Sequence, residues 1–170
     1  QEKYLKLGEY LKKNNYKKFI DKYYAGDRSA LRDEIRDYAL LFRRIFDPEI
    51  VNQELPEKAG IERLNGIIFF LETTTLIPYI LYIEHAVSDK AVQSELYDFI
   101  ETYIMRRLLT KSTTKNYNQL FTERLIANQV LSKDKFLNVL DKQADKVNYL
   151  PSDVQVREEF RNKCQGFRFG

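Results

Sequence analysis

The chain has one cysteine, one methionine, one histidine and no tryptophan in 170 residues. The lone Cys164 excludes an intrachain disulfide, and one cysteine with one histidine, His85, cannot assemble an ordinary structural zinc site. Six glycines and four prolines are few for a sandwich or barrel, whose many short strands need turn residues between them. Gly-rich phosphate loops and the HExxH, CxxC and GxSxG patterns are all missing. No cofactor and no metal are therefore expected. The start shows no charged region followed by an apolar stretch and a small-residue cleavage site, so a cytoplasmic protein is expected. Gln1 in place of an initiator methionine reads as the start of a piece excised from a larger chain.

What is present points to helices. Apolar residues make up 44% and charged residues 31%, with twelve Tyr and eleven Phe, the balance of a soluble globular protein. At 20.3 kDa, residues 1–170 suit one compact all-α domain of about seven to nine helices without significant sheet. Charge is unevenly spread. Residues 1–47 carry twelve Lys/Arg against eight acids, 48–99 three against nine, and 100–170 thirteen against eight. The basic flanks are well mixed with acids, so charge alone marks no nucleic-acid stripe.

Helical periodicity runs through the chain. Tyr4, Leu7 and Leu11 give a short amphipathic stretch, and Phe19, Ile20, Tyr23 and Tyr24 another that stops at Gly26. Asp27 or Ser29 caps a longer helix with Leu31, Ile35, Tyr38, Leu41, Phe42 and Ile45 as its stripe, ended by Asp47-Pro48. The most apolar run, 66–83, is broken by Glu72, three threonines and Pro78. A membrane span needs about 20 apolar residues without interruption, so this run reads as two buried helices meeting at the threonines. A threonine would cap the second, with Pro78 in its first turn. Ser88 would cap a long helix over 89–109, with Val92, Leu96, Phe99, Ile100, Tyr103 and Ile104 on one face. A loop follows over 111–115. Tyr117, Leu120, Phe121, Leu125 and Ile126 mark a further helix, and Ser132 caps one through Phe136, Leu137 and Leu140. Ser152 and Gln155 have capping-box spacing and open a last helix that Gly166 can end.

Few residues invite a chemical reading. His85 falls near a helix C-terminus and reads as a surface or capping histidine. Asp33, Glu34 and Asp37 interleave with Arg28, Arg32 and Arg36, which reads as a solvated face laced by ion pairs rather than an acid/base site. Tyr16, Tyr23, Tyr24 and Tyr38 stand among basic residues, as a single-strand stacking surface requires, but their spacing is that of core packing.

The most individual stretch is 101–121. Arg106, Arg107, Lys111 and Lys115 gather at a helix C-terminus, and neither arginine has an acid three or four residues before it. Their partner is solvent, the helix dipole, a tertiary carboxylate or a ligand. Projection at 3.6 residues per turn puts Arg107 on the face of Leu96, Ile100 and Tyr103, as a structural ion-pair residue, and leaves Arg106 on the flank as the freer hand.

Glu101, Tyr103, Arg106 and Arg107, then Thr114, Lys115, Asn118 and Phe121, form a Glu-x-Tyr-x-x-Arg-Arg pattern followed by Thr-Lys-x-x-Asn-x-x-Phe. This resembles the helical middle region of the GmrSD-type, modification-dependent (type IV) restriction endonucleases. Leu150-Pro151-Ser152-Asp153 is similar to the Pro-Ser-Asp-x-x-Phe signature before that family's next helix, with Val156 where the aromatic is usual.

The resemblance implies an all-helical connector between a ParB-like, nucleotide-handling N-terminal domain and a His-Asn-His nuclease C-terminal domain, itself without catalytic residues. Glu84-His85-Ala86 echoes the nuclease metal motif, but it precedes the middle-region motifs and lacks a second histidine; it reads as coincidence. The implied partners are the flanking domains of the parent chain, duplex DNA and a second copy in a homodimer, with no membrane. Arg106, Lys111 and Lys115 would touch DNA phosphate, while Glu101, Tyr103, Arg107, Asn118, Phe121, Pro151, Ser152 and Asp153 would be structural. The rival reading is a free-standing helical adaptor that binds a protein partner.

Overall fold

A computed structural model describes residues 16–141 and 147–166, all of it helix and connection with no strand among them. Seven α-helices can be followed: α1 Tyr16–Tyr24, α2 Arg28–Ile45, α3 Ile61–Phe70, α4 Ile77–Ala86, α5 Lys90–Leu109, α6 Lys133–Asp141 and α7 Asp153–Gly166. Two 3-10 turns, Pro48–Asn52 and Thr74–Leu76, and a π-helical segment, Gln119–Leu125, complete the described elements. The stretch with Tyr4, Leu7 and Leu11 lies outside the described residues.

The core forms where α3, α4, α5, α6 and the π segment turn their apolar sides inward. Leu64, Ile68, Leu76, Ile80, Ile83, Leu96, Ile100, Leu120 and Leu125 are completely buried. Each such side chain contributes about 1.5–3 kcal/mol relative to exposure. Aromatic rings fill the space between helices: Phe136 of α6 meets Tyr79 edge-on at 6.0 Å, Phe99 at 5.2 Å and Tyr103 at 5.5 Å. The buried Tyr79 hydroxyl donates to the Val130 carbonyl at 2.9 Å, so the polar tip of a core ring is satisfied and the α4 face is tied to the chain before α6. Asn65 donates to the Ile45 carbonyl at 2.8 Å and so closes the end of α2 onto α3.

Capping explains most boundaries. Asp27, rather than Ser29, caps α2: its carboxylate accepts from the backbone N–H groups of Ser29 at 2.8 Å and Ala30 at 3.2 Å. Those bonds, with the Ser29 hydroxyl first, hold the Asp27 carboxyl below its ordinary range. Gly26, at φ +81, closes the turn from α1 and sends its N–H to the Ile20 carbonyl. Asp47-Pro48 ends α2 as expected, and Pro48 then opens the first 3-10 turn.

Several boundaries differ from expectation. Asp89, not Ser88, caps α5, because its carboxylate reaches the N–H groups of Ala91 at 2.8 Å and Val92 at 3.4 Å. No threonine side chain caps α4: the Thr73 hydroxyl turns back to the Leu71 carbonyl at 3.3 Å, and the 3-10 turn Thr74–Leu76 feeds directly into the helix. Pro78 does stand in the first turn of α4. Helix α3 starts at Ile61, before the apolar run, since its first turn carries the polar Glu62 and Arg63. The segment at Phe121 is π-helical rather than α-helical. With α winding, Leu120 and Leu125 would diverge by about 140°; the wider turn brings both to the core.

Burial holds the phenolic protons of Tyr79 and Tyr103 above the ordinary value of 10.0; Tyr97 is raised by burial and then by its hydrogen bond to Glu84. The folded chain thus binds more protons than the unfolded one above pH 10, so this contribution to stability is whole below pH 10 and declines as the pH rises past it. Phenolate absorbance during an alkaline titration should show Tyr79, Tyr97 and Tyr103 ionising only as the fold is lost. Their reversible titration near pH 10 in the native chain would contradict the packing described.

Candidate functional site

The two motifs singled out in the sequence meet at the C-terminal end of α5. Its last turn carries Arg106 and Arg107, and the chain then reverses through Thr110 and Lys111, the latter at φ +52. The Ser112 N–H bonds back to the Arg107 carbonyl at 2.9 Å, and the Thr110 hydroxyl caps the Arg106 carbonyl at 3.0 Å. Adjacent helical residues point about 100° apart. One arginine therefore enters the core and its neighbour faces the flank.

Arg107 is completely buried. No carboxylate meets it among the described residues, so the expected ion pair is replaced by a different arrangement. Nε donates to the Tyr117 hydroxyl at 3.2 Å, Nη1 to the Tyr149 carbonyl at 3.1 Å and Nη2 to the Thr113 carbonyl. Its guanidinium carbon stands 5.5 Å from the Tyr103 ring centre, 5.4 Å from Tyr117 and 5.7 Å from Tyr149. Burying a cation costs several kcal/mol. Hydrogen bonds to a charged group return about 1.5–3 kcal/mol each, ring quadrupoles about 0.5–2, and the negative end of α5 adds to both. Carbonyls, rings and helix dipole together are of the same order as the penalty. The Tyr103 hydroxyl donates to the Asn148 carbonyl at 3.3 Å, fixing the same returning strand of chain.

Arg106 is not a free hand. Its Nη2 pairs with the Asp153 carboxylate at 2.6 Å and its Nη1 donates to the Pro151 carbonyl at 3.0 Å. The hydrogen bond and then the charge of Arg106 hold the Asp153 carboxyl below its ordinary 3.8. Ser152 and Gln155 close the expected capping box: the Ser152 N–H donates to Gln155 Oε1 at 2.9 Å and the Gln155 N–H to Ser152 Oγ at 3.3 Å. Buried Pro151 thus delivers α7 to α5 with its first turn already capped.

The remaining motif residues divide between inside and outside. Phe121 is completely buried, 5.2 Å from Tyr117 and 6.3 Å from Tyr79. Glu101 accepts a two-pronged bond from Arg63 of α3, whose Nε lies 2.9 and 2.8 Å from the two carboxylate oxygens. Arg63 also donates to the Pro56 carbonyl at 2.9 Å. Thr114, Lys115, Asn118 and Lys111 are exposed. The structure brings Arg106 together with the structural motif and leaves Lys111 and Lys115 in solvent. Sequence reasoning missed Arg63 and Tyr149. Arg63 is 38 residues from Glu101 and no local spacing announces the pair; Tyr149, flanking the Pro-Ser-Asp motif, was within reach of a search for aromatic neighbours.

Other chemistry is sparse. His85 is exposed and stacks on Tyr38 at 5.2 Å, the packing role of a surface histidine. No group of three His, Cys, Asp or Glu among the described residues could hold a metal ion. No described helix is long and apolar enough to cross a membrane. A groove of about 300 Å³ runs beside α5, lined by Arg63, Asp98, Glu101, Thr102, Met105 and Arg106, of mixed charge and without a nucleophile and base in contact. No family model, curated protein or solved structure matches the chain.

Two outcomes are expected at this junction. Arg107→Lys should destabilise the chain by about 3–5 kcal/mol in denaturant unfolding, since a lysine cannot reach two carbonyls and a hydroxyl in one plane; a loss below about 1 kcal/mol would refute the role given to the planar cation. Asp153→Asn should raise amide hydrogen exchange in the first turns of α7 severalfold while leaving α4 protected. In the unmodified chain the same loosening should come only with acid: the pairing is whole above pH 3.8 and is lost as the pH falls through the lowered native value.

Proposed function

We propose that the chain is a non-catalytic helical connector of a GmrSD-like, modification-dependent restriction protein. It would hold a nucleotide-handling half against a nuclease half and contact the DNA backbone. The observation that carries this reading is the convergence at one end of α5. Tyr103, Arg106, Arg107, Pro151, Ser152 and Asp153, six residues of the resemblance, serve there to fix chain direction, while Glu101 holds Arg63 further back on α5, Phe121 lies in the core and Thr114, Lys115 and Asn118 are exposed. A connector needs this kind of rigidity where segments enter and leave, and it needs no nucleophile or metal of its own.

The geometry revises the DNA-contact set. Arg106 is engaged by Asp153 and Pro151, whereas Lys111 and Lys115 project from the turn beyond α5. Lys111 and Lys115 are therefore the phosphate-contact candidates, and Arg106 positions α7. The rival adaptor reading draws on a different observation, the exposed Ile35 and Phe42 of α2.

Fluorescence anisotropy with plain, hydroxymethylated and glucosylated duplex DNA tests the backbone contact. Binding should weaken steeply with salt, and Lys111→Ala/Lys115→Ala should reduce the slope of log affinity against log salt by about two, about one for each lost phosphate contact. Affinity and slope unchanged by the double substitution, or no binding at low salt, would remove DNA from the reading. Nuclease or NTPase turnover by the chain with divalent metal, above a buffer control, would overturn the non-catalytic assignment.

A further inference from the structure

Helix α2 exposes a surface that the described residues do not cover. Its buried edge, Tyr38, Leu41 and Ile45, lies against α4 and the core, with Leu31 and Glu34 half-buried toward α1. Turned slightly around the helix are Leu31, Ile35, Ala39 and Phe42, a stripe at i, i+4, i+8 and i+11. Ile35 is 56% exposed and Phe42 38%. Between α1 and α2 the stripe deepens into a depression of about 450 Å³ lined by Lys17, Ile20, Arg28, Leu31, Arg32 and Ile35, with the buried Ile20 as its floor.

One border of this stripe is a column of like charge. Arg28, Arg32 and Arg36 follow one another at i, i+4 and i+8, and Arg43 continues the border two turns on. The sequence suggested ion pairs with interleaved acids. Instead Arg32 contacts Asp33 at 3.5 Å in solvent, Glu34 accepts the Tyr24 hydroxyl at 2.7 Å, and Arg28, Arg36 and Arg43 have no ion-pair partner among the described residues. Asp33 and Asp37 lie on the far side of the helix from the stripe. The column also opposes the helix. Arg28 and Arg32 stand at the positive N-terminal end of α2, whose first turn contains no acid. The N-cap carboxylate of Asp27 meets the dipole and attracts Arg32 at this end, and Arg32 touches Asp33, while Arg36 and Arg43 further along the column have no such neighbour among the described residues.

We propose that this face of α1 and α2 docks an acidic amphipathic helix of a protein partner. The stripe from Leu31 to Phe42 is about 16 Å long, three helical turns, and offers the i, i+4, i+8 apolar spacing that a helix laid in a groove requires. Acidic residues flanking the partner's apolar face would neutralise the column. Duplex DNA would use the arginines but leave Ile35 and Phe42 without a role. A second copy laid antiparallel on the same face would set the arginine column against itself. The inference rests on this surface alone and stands whether the chain is a connector or an adaptor.

The probe is a fluorescein-labelled synthetic three-turn helix with leucine at i, i+4 and i+8 and glutamate on both flanks, titrated with the purified chain by anisotropy. The acidic peptide is expected to bind, and to bind at least tenfold more tightly than its twin with lysine in place of glutamate. Ile35→Ser and the triple Arg28→Gln/Arg32→Gln/Arg36→Gln should each weaken it at least tenfold, with helicity by circular dichroism unchanged because all four side chains are exposed. Arg44→Gln, on the opposite side of α2, should leave it unchanged. Equal binding of the two peptides, no binding, or binding indifferent to both variants would overturn the proposal. Two other results would also overturn it: duplex DNA binding that falls with the arginine triple but not with Ile35→Ser, or a sedimenting dimer that Ile35→Ser dissociates. Lys111→Ala/Lys115→Ala should not affect the peptide, so failure here and failure of the DNA contact are read separately.

Discussion

A full positive charge sits inside this protein with no carboxylate to meet it among the described residues, and the arrangement of the described chain beyond α5 follows from the need to accommodate it. Arg107 must find acceptors, and the acceptors within reach are backbone carbonyls of segments that would otherwise be loops. Thr113 and Tyr149 are thereby fixed to one guanidinium plane, and Tyr103, Tyr117 and Tyr149 enclose it. A carboxylate in the same place would have neutralised the charge while tying down a single side chain. Carbonyls and rings distribute the neutralisation over several segments, so the charge joins the turn after α5, the approach to the π segment and the approach to α7. Arg106, one step round the helix, then sets the direction in which α7 leaves.

The other end of the same logic lies on the opposite flank of α5. Glu101 holds Arg63, and Arg63 holds the Pro56 carbonyl, so the irregular chain before α3 is anchored through a side chain rather than by its own hydrogen bonds. The Glu101 hydrogen bond holds the Arg63 guanidinium still further above its ordinary range. Nearer the start of α5, the Tyr97 hydroxyl donates to Glu84 at 2.6 Å, linking α5 to α4. Polar bonds at three levels of one helix fix its rotation, while the apolar core fixes its depth. Hydrophobic burial is non-directional and could tolerate a range of rotations; these bonds select one.

How much of this was readable from the chain depends on the range of the interaction. The stripe of α5, the capping box at Ser152 and Gln155 and the stop at Pro48 are local patterns, and each stands in the structure where it was expected; the expected stripe of α2 is split, with Ile45 buried and Ile35 and Phe42 exposed. The choice between neighbours such as Ser88 and Asp89 turned on side-chain reach, which composition does not encode. The burial of Arg107 followed from its place on the apolar face. Its partners did not, because the Tyr149 carbonyl is 42 residues away and any residue type could have supplied it. Arg106 looked unpaired for the same reason: a tertiary carboxylate leaves no trace in local spacing. The interleaved acids of α2 misled in the opposite direction, since Asp33 meets Arg32 in solvent and Glu34 turns to the Tyr24 hydroxyl.

The π-helical segment has a consequence for how this chain can change length. An α-helix registers every residue at 100°, so losing one residue inside α5 would swing all that follows around the axis and take Arg107 out of its enclosure. Over Gln119–Leu125 the winding already carries about one residue more per turn than the α form needs. A single deletion there could be absorbed by a return to α winding, with Phe121 and the leucine after it still facing the core at i, i+3. The spare residue makes this seven-residue segment a place within a helical element where length can vary without moving the helices on either side.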